Sequence, residues 1–477
     1  MAQGEVDRPP AEGAAAAPEA PEAPAIRSDE FPLHECVFRG DVKELSLLIR
    51  KNETDLGLRD PHGNTALHLA TMLGRRECVH LLCAHGAPVK IKNKLGWSPL
   101  AEAVSFGDRQ MIASLLRKLQ YQSKEQLKQR KPEMINSLKK LGDFVVDLKW
   151  DFTSWLPLVS RILPSDICKI SKKGACIRLD ATLVGFTEMR WERGDITFLY
   201  KGDSKTPEES LFVLDNKLRV YQKVRYEESE VEFEDEVDLL MSSDIVSAQV
   251  STKPISFTKV QSGWFFKEDR QELVGTYNAH YHSINGMVLE TRKRREHLSN
   301  DDLMKNKALL ENFAKGNAQY LEQQQQTQNG ENGEAKRKET LQPPPKRDVT
   351  WSEYIQSPPG QHPVLGRTPK CKESSRAFKA TVAMSEDFPL TVDMLLNVLE
   401  VIAPQFKHFQ KLRDFIEMKL PPGFPVKVDI PVLPTVSARV TFHDFEWKET
   451  GTDNRLSDDL FSVPTGYTED PSRFPDL

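Results

Sequence analysis

No apolar run in this sequence is long enough to cross a bilayer. The longest stretch free of Asp, Glu, Lys and Arg is Leu273–Leu289, and it carries Asn278, His280, His282, Ser283 and Asn285, too polar for a spanning segment. No secretory leader is expected either: Ala14–Ala17 is a short run set among Glu and Pro, with no apolar core region. Cysteine is sparse. The six residues (Cys36, Cys78, Cys83, Cys168, Cys176, Cys371) lack the dense, regular spacing of a disulfide scaffold, which points to a reducing compartment. Neither sign of charge dominates: 65 Lys and Arg against 70 Asp and Glu leave −5, no general footprint for nucleic acid. The P-loop, dinucleotide, H-E-x-x-H, G-x-S-x-G and kinase signatures are all absent. These absences lead us to expect a soluble, non-enzymatic chain facing the cytosol, with no cofactor, no metal and no small-molecule substrate. Any membrane association would be peripheral.

What is present begins with a repeat. His62–Asn93, HGNTALHLATMLGRRECVHLLCAHGAPVKIKN, has a Gly turn, T-A-L-H-L-A opening a short helix, Gly74 breaking it, a second apolar helix, and the exit turn Gly86-Ala87. That is the order of an ankyrin repeat, whose period is about 33 residues and whose signature is T-P-L-H-x-A. Gly63 recurs 33 positions on as Gly96, and Gly74 as Gly107. Upstream, Pro32-Leu33-His34 and Gly40 stand 34 positions before Ala66-Leu67-His68 and Gly74. Three registered copies satisfy the minimum that such a stack needs to bury its faces. Thr65 is the expected N-cap, with His68 tying one turn to the next. His34 and His68 therefore read as structural rather than metal-binding or acid–base groups. Cys78, His80, Cys83 and His85 have a loose metal-like spacing, but Cys78 and Cys83 fall where the repeat packs small hydrophobes. Ankyrin stacks take partners at hairpin tips and inner helices, so Asn64, Asn93, Lys94 and Trp97 are the partner-binding candidates. Each is equally explained as a solvated hairpin group or, for Trp97, a packed ring.

The rest of the 477 residues divides by composition. Residues 1–30, rich in Ala, Pro and Glu, should be disordered. Residues 31–120 hold the repeats, and 121–141 form a charged helical connector in which Pro132 marks a break or a new start. From Gly142 the period becomes that of strands: Phe144, Val146, Leu148 and Trp150 alternate, as do Ile177, Leu179, Ala181 and Leu183. A helical hint runs from Trp155 to Ile162. Glu192-Arg-Gly-Asp195 predicts a hairpin turn, Asp215-Asn216 another. Residues 142–298 read as an antiparallel β-rich region. Within it, the acidic run Glu227–Asp238 is either a docking strip for a basic partner or, more plainly, a solvated loop before a helix. His280 and His282, two apart on a strand, have no ligand-type neighbours and read as structural. Arg292, Lys293, Arg294 and Arg295 admit three readings: nuclear import, contact with anionic lipid, or solvated surface. Ser299 and Asp302 look like the cap of a helix over 299–326. Residues 327–349 have linker composition. A second folded segment, 350–447, should hold a strand at Lys379–Met384 and a helix at Val392–Ala403. A basic amphipathic helix follows at Gln405–Leu420, where Lys407, Lys411 and Arg413 are further membrane-contact candidates. The alternation of Val436, Ala438, Val440 and Phe442 slips by one to Phe445 and Trp447, predicting a bulge at His443-Asp444. The polar tail 448–477 should be loosely held. The fold class is thus α+β and multidomain: a three-repeat ankyrin solenoid, then an antiparallel β-rich region with helices, interrupted by a disordered linker.

Five strings carry a more specific likeness: GWSPLAEAVSFGDRQMI (96–112), WDFTSWLPLVSRILPSDICKI (150–170), LMSSDIVSA (240–248), ETRKRREHLS (290–299) and KLPPGFPVKVDIPVLPT (419–435). Through them the sequence from about residue 31 to 477 resembles the ankyrin repeat domain-containing protein 13 family, and within it the C-type, receptor-chaperone branch. The resemblance implies a chaperone that binds immature G-protein-coupled receptors and controls their maturation and exit, peripherally bound on the cytosolic face of the endoplasmic reticulum. Other branches end in ubiquitin-interacting motifs and sort ubiquitinated receptors, the alternative function. The tail from Lys448 has no Ala, and Pro464, Pro471 and Pro475 oppose the helix such a motif requires.

Overall fold

The computed structural model describes residues 30–51, 55–154, 163–187, 190–206, 209–224, 229–251, 255–263, 268–314, 337–394, 396, 420–433, 436–448 and 456–474. The expectations for residues 1–29, for the helical hint at 155–162, for 315–336, for most of the helix at 392–403 and for the amphipathic helix through 419 lie outside them.

Three antiparallel helix pairs open the fold: α1 (Pro32–Arg39) with α2 (Val42–Arg50), α3 (Ala66–Met72) with α4 (Arg76–Ala84), and α5 (Pro99–Phe106) with α6 (Arg109–Lys140). The caps are those the sequence offers. Asp41, Ser98 and Asp108 side chains accept from backbone N–H groups three residues on, and Thr65 and His68 cap α3 reciprocally. Leu33, Val37, Leu45, Leu67, Leu69, Leu82, Val104, Ile112 and Leu115 close a continuous core between the pairs. Contrary to expectation, α6 runs unbroken through Pro132. That proline sits on the exposed side, where water can satisfy the carbonyl freed by the missing N–H.

The last turn of α6 delivers the chain to a sheet. Its strands are β1 (Asp143–Ser154), β2 (Ser165–Lys173), β3 (Cys176–Thr187), β4 (Arg190–Lys201), β5 (Leu211–Asp215), β6 (Val220–Lys223), β7 (Ile245–Ser251), β8 (Ser256–Lys259), β11 (Gln271–Val274), β12 (Tyr277–Arg294), β13 (Cys371–Ser385), β14 (Phe424–Leu433), β15 (Val436–Lys448) and β16 (Thr468–Glu469). A separate two-stranded ribbon pairs β9 (Gln261–Ser262) with β10 (Glu268–Asp269). The strand order of the large sheet is β11-β12-β13-β14-β15-β1-β2-β3-β4-β5-β6-β16, with β7 and β8 also on β12. All its pairings are antiparallel except that of β16 with β6. The two folded segments read separately from sequence are therefore one body: β13–β15 sit between β12 and β1. The slip of phase at His443-Asp444 is a bulge. Val146 pairs with Phe445 and Leu148 with Phe442, so two residues of β15 face Asp147 alone, and Phe442, Phe445 and Trp447 all join Phe144 in the sheet core.

Three other expectations are corrected. Thr187 pairs with Arg190, so the β3–β4 turn precedes Glu192-Arg-Gly-Asp195, which lies inside β4 where its register with β3 shifts. Residues 327–336 of the linker lie outside the described residues; from 337 it is fixed, the start of a strap over the repeats that runs on to residue 369. Leu341 N–H donates to Gly107 O (2.8 Å), Arg109 N–H to Thr340 Oγ1 (3.2 Å), and Lys338 Nζ meets Asp302 (2.5 Å). The tail, from Leu456, is pinned too: Leu456 and Phe461 are buried against Leu199 and Phe212, and Arg473 pairs with Asp215 at 2.7 Å. Polar composition hid both because their order comes from a few anchors on distant strands.

Among the described residues three further helices follow: α7 (Glu230–Ser242), α8 (Asn300–Ala314) and α9 (Trp351–Gln356). The acidic run is neither loop nor free strip. It is α7, capped by Ser229 and Glu232, with Phe233, Val237 and Met241 buried on the end of the repeat core. Its carboxylates face the chain's own arginines. Arg109 bonds Glu234 (2.5 Å) and Asp238, Arg117 bonds Glu230 while stacking on Phe233, and Arg337 bonds Asp235 and Asp238. Such a terminal cap is what an open-ended solenoid needs. Ser299 and Asp302 cap α8 reciprocally, as the sequence suggested.

Candidate functional site

Ankyrin hairpins recognise by presenting polar tips, and each tip must first be stiffened. Asp60 does this in the second repeat: one carboxylate oxygen accepts from the His62 and Asn64 N–H groups, both at 2.9 Å. Asn93 does it in the third, accepting from the Leu95 and Trp97 N–H groups at 3.1 and 2.9 Å. The tips are joined by Asn93 Nδ2, which donates to Asn64 Oδ1 at 2.9 Å.

The chain fills this site itself. α9, capped by Thr350 and Glu353, drives Trp351, Tyr354 and Ile355 into the repeats. The Trp351 and Tyr354 rings each stand 5.6 Å from Phe38. The Tyr354 hydroxyl donates to Asp60 Oδ2 at 2.5 Å and accepts from Asn64 Nδ2 at 2.8 Å. His62 Nδ1 accepts from Gly360 N–H at 3.1 Å, which leaves the ring proton on Nε2 to donate to Tyr354 O at 2.9 Å. Burial, reinforced by Asp60, holds the Tyr354 phenol well above its ordinary pKa, and burial lowers that of His62. Further along, Gly366 passes so close to the second repeat that a Cβ would stand 2.9 Å from Met72 O.

A second contact clamps the third repeat to the end of β12. Arg294 is 4% exposed. Its guanidinium donates to Glu102 (2.9 Å), Glu296 (2.7 Å) and the Ser105 hydroxyl (2.8 Å), and lies over the Trp97 ring at 5.0 Å. Burial works against its charge, but Glu102 and Glu296 outweigh that and raise its pKa; Glu296 is correspondingly lowered, Arg294 overriding its burial. Between the clamp and the strap lies a cavity of about 220 Å³ walled by Met72, Phe106, Arg292, His362, Leu365 and Cys371 among others.

These placements correct several candidates. Asn64, Asn93 and Trp97 are buried, their polar groups spent on hairpin geometry and on Tyr354, so only Lys94 of that set is exposed to a partner. Of the basic run, Arg294 is inside the clamp, Arg292 bonds Leu95 O (2.9 Å) and Glu373 (3.2 Å), Arg295 bonds Asp244 (3.0 Å), and Lys293 is half-buried in β12. Three of its four residues are committed to internal partners, so the run is not a free patch of four cations. Lys407, Lys411 and Arg413 lie outside the described residues. Cys78 and Cys83 pack in the repeat core, where burial raises both thiols, Cys83 to about 11. His34 and His68 are buried with lowered pKa values, burial being the main cause, and donate to Asn64 O (3.0 Å) and Trp97 O (3.1 Å) respectively. Sequence reasoning missed Trp351 and Tyr354. The signal was there in Thr350-x-x-Glu353 with aromatics inside it, a capping box on a helix too short to stand alone.

Comparison with known proteins matches the two partners of this contact to two family descriptions. Residues 33–126 match the family described as ankyrin repeats (3 copies), and residues 178–468 match that described as ANKRD13 C-terminal. The chain belongs to the ANKRD13 family. It is 57% identical over 447 residues to ankyrin repeat domain-containing protein 13C of Xenopus tropicalis, covering 94% of this chain and 84% of that one. Likeness to the Homo sapiens protein of that name is also 57%, over 94% and 79%. With the Danio rerio protein it is 55% over 95% and 89%. The ANKRD13 C-terminal match begins within β3 and ends in β16, so it takes in α7, the end of β12, the strap and α9. Ankyrin repeats are protein-interaction modules, and that is the coarse function membership carries. Among the described residues no helix is long and apolar enough to cross a membrane.

Proposed function

We propose that this chain is a non-enzymatic chaperone for G-protein-coupled receptors that acts on newly made receptor at the cytosolic face of the endoplasmic reticulum and regulates its exit. The observation that carries this reading is the likeness, at 55–57% identity over nearly the whole chain, to the C-type members of a family whose repeats bind proteins. The receptor-chaperone role comes from the resemblance of the sequence to that branch. A rigid stack fused to a broad sheet is consistent with holding a client without transforming it. With Arg292, Arg294 and Arg295 committed internally, Lys293, Lys407, Lys411 and Arg413 remain the residues to supply peripheral membrane contact. Residues 456–474 pack on β4, β5 and β6 and do not themselves supply the free helix that the ubiquitin-sorting alternative needs.

The test is co-purification from microsomes of cells making a glycosylated receptor. The chain is expected to pellet with the microsomes and to capture the immature, core-glycosylated form in preference to the mature one. A wholly soluble distribution that receptor expression leaves unchanged removes the proposal. Retention on polyubiquitin beads would favour the sorting role instead.

A further inference from the structure

At the end of α9, Ser357 and Pro358 form a Ser-Pro dipeptide. Its neighbours Gln356, Pro358, Pro359 and Gln361 are exposed, yet the Ser357 side chain turns inward. Its hydroxyl donates to Tyr354 O at 2.6 Å and lies 3.2 Å from His62 Nε2, so it sits at the seam between α9 and the second hairpin. We propose that Ser357 is a modification site for a proline-directed serine/threonine kinase, and that the added phosphate unlatches residues 350–366 from the repeats. The uncovered groove then accepts a partner segment of the chemistry it now holds in cis, a short capped helix carrying Trp and Tyr three residues apart. The proposal concerns the hold of the strap on the repeats and does not rest on the receptor reading.

The chemistry is ordinary phosphoryl transfer. Ser357 Oγ attacks the γ-phosphorus of ATP, and the new Oγ–P bond forms as the bond from that phosphorus to the β,γ-bridging oxygen breaks. ADP departs, and the hydroxyl proton passes to the catalytic base of the kinase. A kinase reads extended peptide, so it modifies the state in which the strap has transiently lifted, and the phosphate then opposes its return.

Three features of the seam make that return costly. Phosphoserine has no hydrogen on Oγ, so the bond to Tyr354 O is lost, and the phosphate oxygens face a carbonyl oxygen where the hydroxyl stood at 2.6 Å. The Asp60 carboxylate, holding Tyr354 and the hairpin N–H groups, repels a dianion brought back to the groove. The imidazoles nearby do not answer it in place. His62 is engaged at both nitrogens by Gly360 N–H and Tyr354 O, and His362, its ring 5.2 Å from His62, spends Nδ1 on Pro363 O. Lys94 is exposed, so reaching it takes the phosphate outward, away from the latched position.

The same strap supplies its own control. Thr368-Pro369 is also a proline-directed dipeptide, but Thr368 is exposed and its hydroxyl oxygen accepts from Arg347 Nη2 at 2.9 Å. A phosphate there gains a guanidinium and leaves the latch shut.

The experiment treats the full chain with a proline-directed kinase and ATP, locates the phosphate by mass spectrometry, and follows amide hydrogen exchange. It also measures anisotropy of a labelled synthetic peptide of residues 348–362. With phosphate on Ser357, exchange across 350–366 is expected to rise by about tenfold, the scale of one lost hydrogen bond with added repulsion, while α1, α3 and α5 keep their protection. The peptide should then bind the modified chain and not the unmodified one. Ser357→Ala should abolish the response, and Thr368→Ala should leave it intact. Absence of phosphate at Ser357, or modified chain whose strap exchanges no faster than before, overturns the proposal. So does equal peptide binding with and without phosphate.

Discussion

Arg294 shows how one residue can look alike in sequence and differ wholly in the fold. In the string Arg292-Lys-Arg-Arg295 nothing separates it from its neighbours. In the structure it is the buried cation between Glu102 and Glu296, each of which shares its burial. Arg294→Met leaves those two carboxylates without their counter-ion and is expected to cost about 3–5 kcal/mol. Arg292→Met, at a half-exposed pair, should cost no more than about 1 kcal/mol. Urea unfolding of the two variants checks the contrast, and equal midpoints would place the clamp at the surface. Histidine gives a second test at this scale. His68 accepts from Thr65 N–H through Nδ1, at 3.1 Å, and donates through Nε2, so it must be neutral in the fold. Burial lowers its pKa from 6.5 to about 4. A His whose folded pKa is depressed contributes fully above its unfolded pKa and loses that contribution as pH falls toward the folded value. Stability should therefore fall between about pH 6.5 and 4 by up to about 3 kcal/mol from this residue, with His34 acting in the same direction. The urea midpoint at pH 7.5 and at pH 5 measures it, and the difference should shrink in His68→Gln. The roles of His34 and His68 were legible because the repeat template specifies them. The role of Arg294 was not, because Glu102 and Ser105, which bury it, come from α5, about 190 residues away, and only Glu296 is near in sequence.

Among elements, those whose order is local were readable and those whose order is borrowed were not. Glycine spacing gave the three helix pairs, and the phase slip in Val436–Trp447 gave a bulge at the residue where it occurs. The bulge is what lets Phe442 share a face with Phe445 and Trp447, since without it a period of two would send the latter pair to the opposite side. Deleting Asp444 removes the extra residue and is expected to turn Phe445 and Trp447 away from Phe144, whose ring now stands 5.3 and 6.1 Å from theirs. Both rings are half-buried, and losing that contact costs about 1–2 kcal/mol per ring. The deletion should abolish the near-ultraviolet circular dichroism of the aromatic cluster, whereas Asp444→Ala, at an exposed position, should leave it unchanged. A deletion variant that kept the signal would show the slip to be accommodated elsewhere in β15. By contrast, the strap at 337–349 has the composition of a spacer, and nothing local distinguishes Leu341 from a spacer leucine. It is fixed because Gly107, at φ +87°, leaves room where a Cβ would meet Leu341 Cδ1 at 2.5 Å. A contact made by the absence of a side chain on another element leaves no periodic trace.

For the whole molecule the decisive fact is the position of β13–β15. They complete the sheet between β12 and β1, so neither half of the chain has a closed core without the other: Phe144, Val146 and Leu148 pack with Phe424, Val428 and Phe442 in one cluster. The division into separate segments on either side of 327–349 followed composition, which reports how a stretch is solvated and not which strands it will join. Sheet order is set by pairings across hundreds of residues, and no window of the sequence holds both partners. The consequence can be tested by cutting the chain. With a protease site engineered within 315–336, cleavage of the folded protein is expected to leave the two pieces together through gel filtration in native buffer and to release them only in denaturant. The upstream piece made alone, residues 1–320, would carry β1 and β12 as open edges with their apolar faces bare, and should aggregate. Co-expression with residues 337–477 should restore a soluble complex. Separation of the cut pieces in native buffer, or a soluble monomeric upstream piece, would mean that the shared sheet is not what holds the repeats to their clamp.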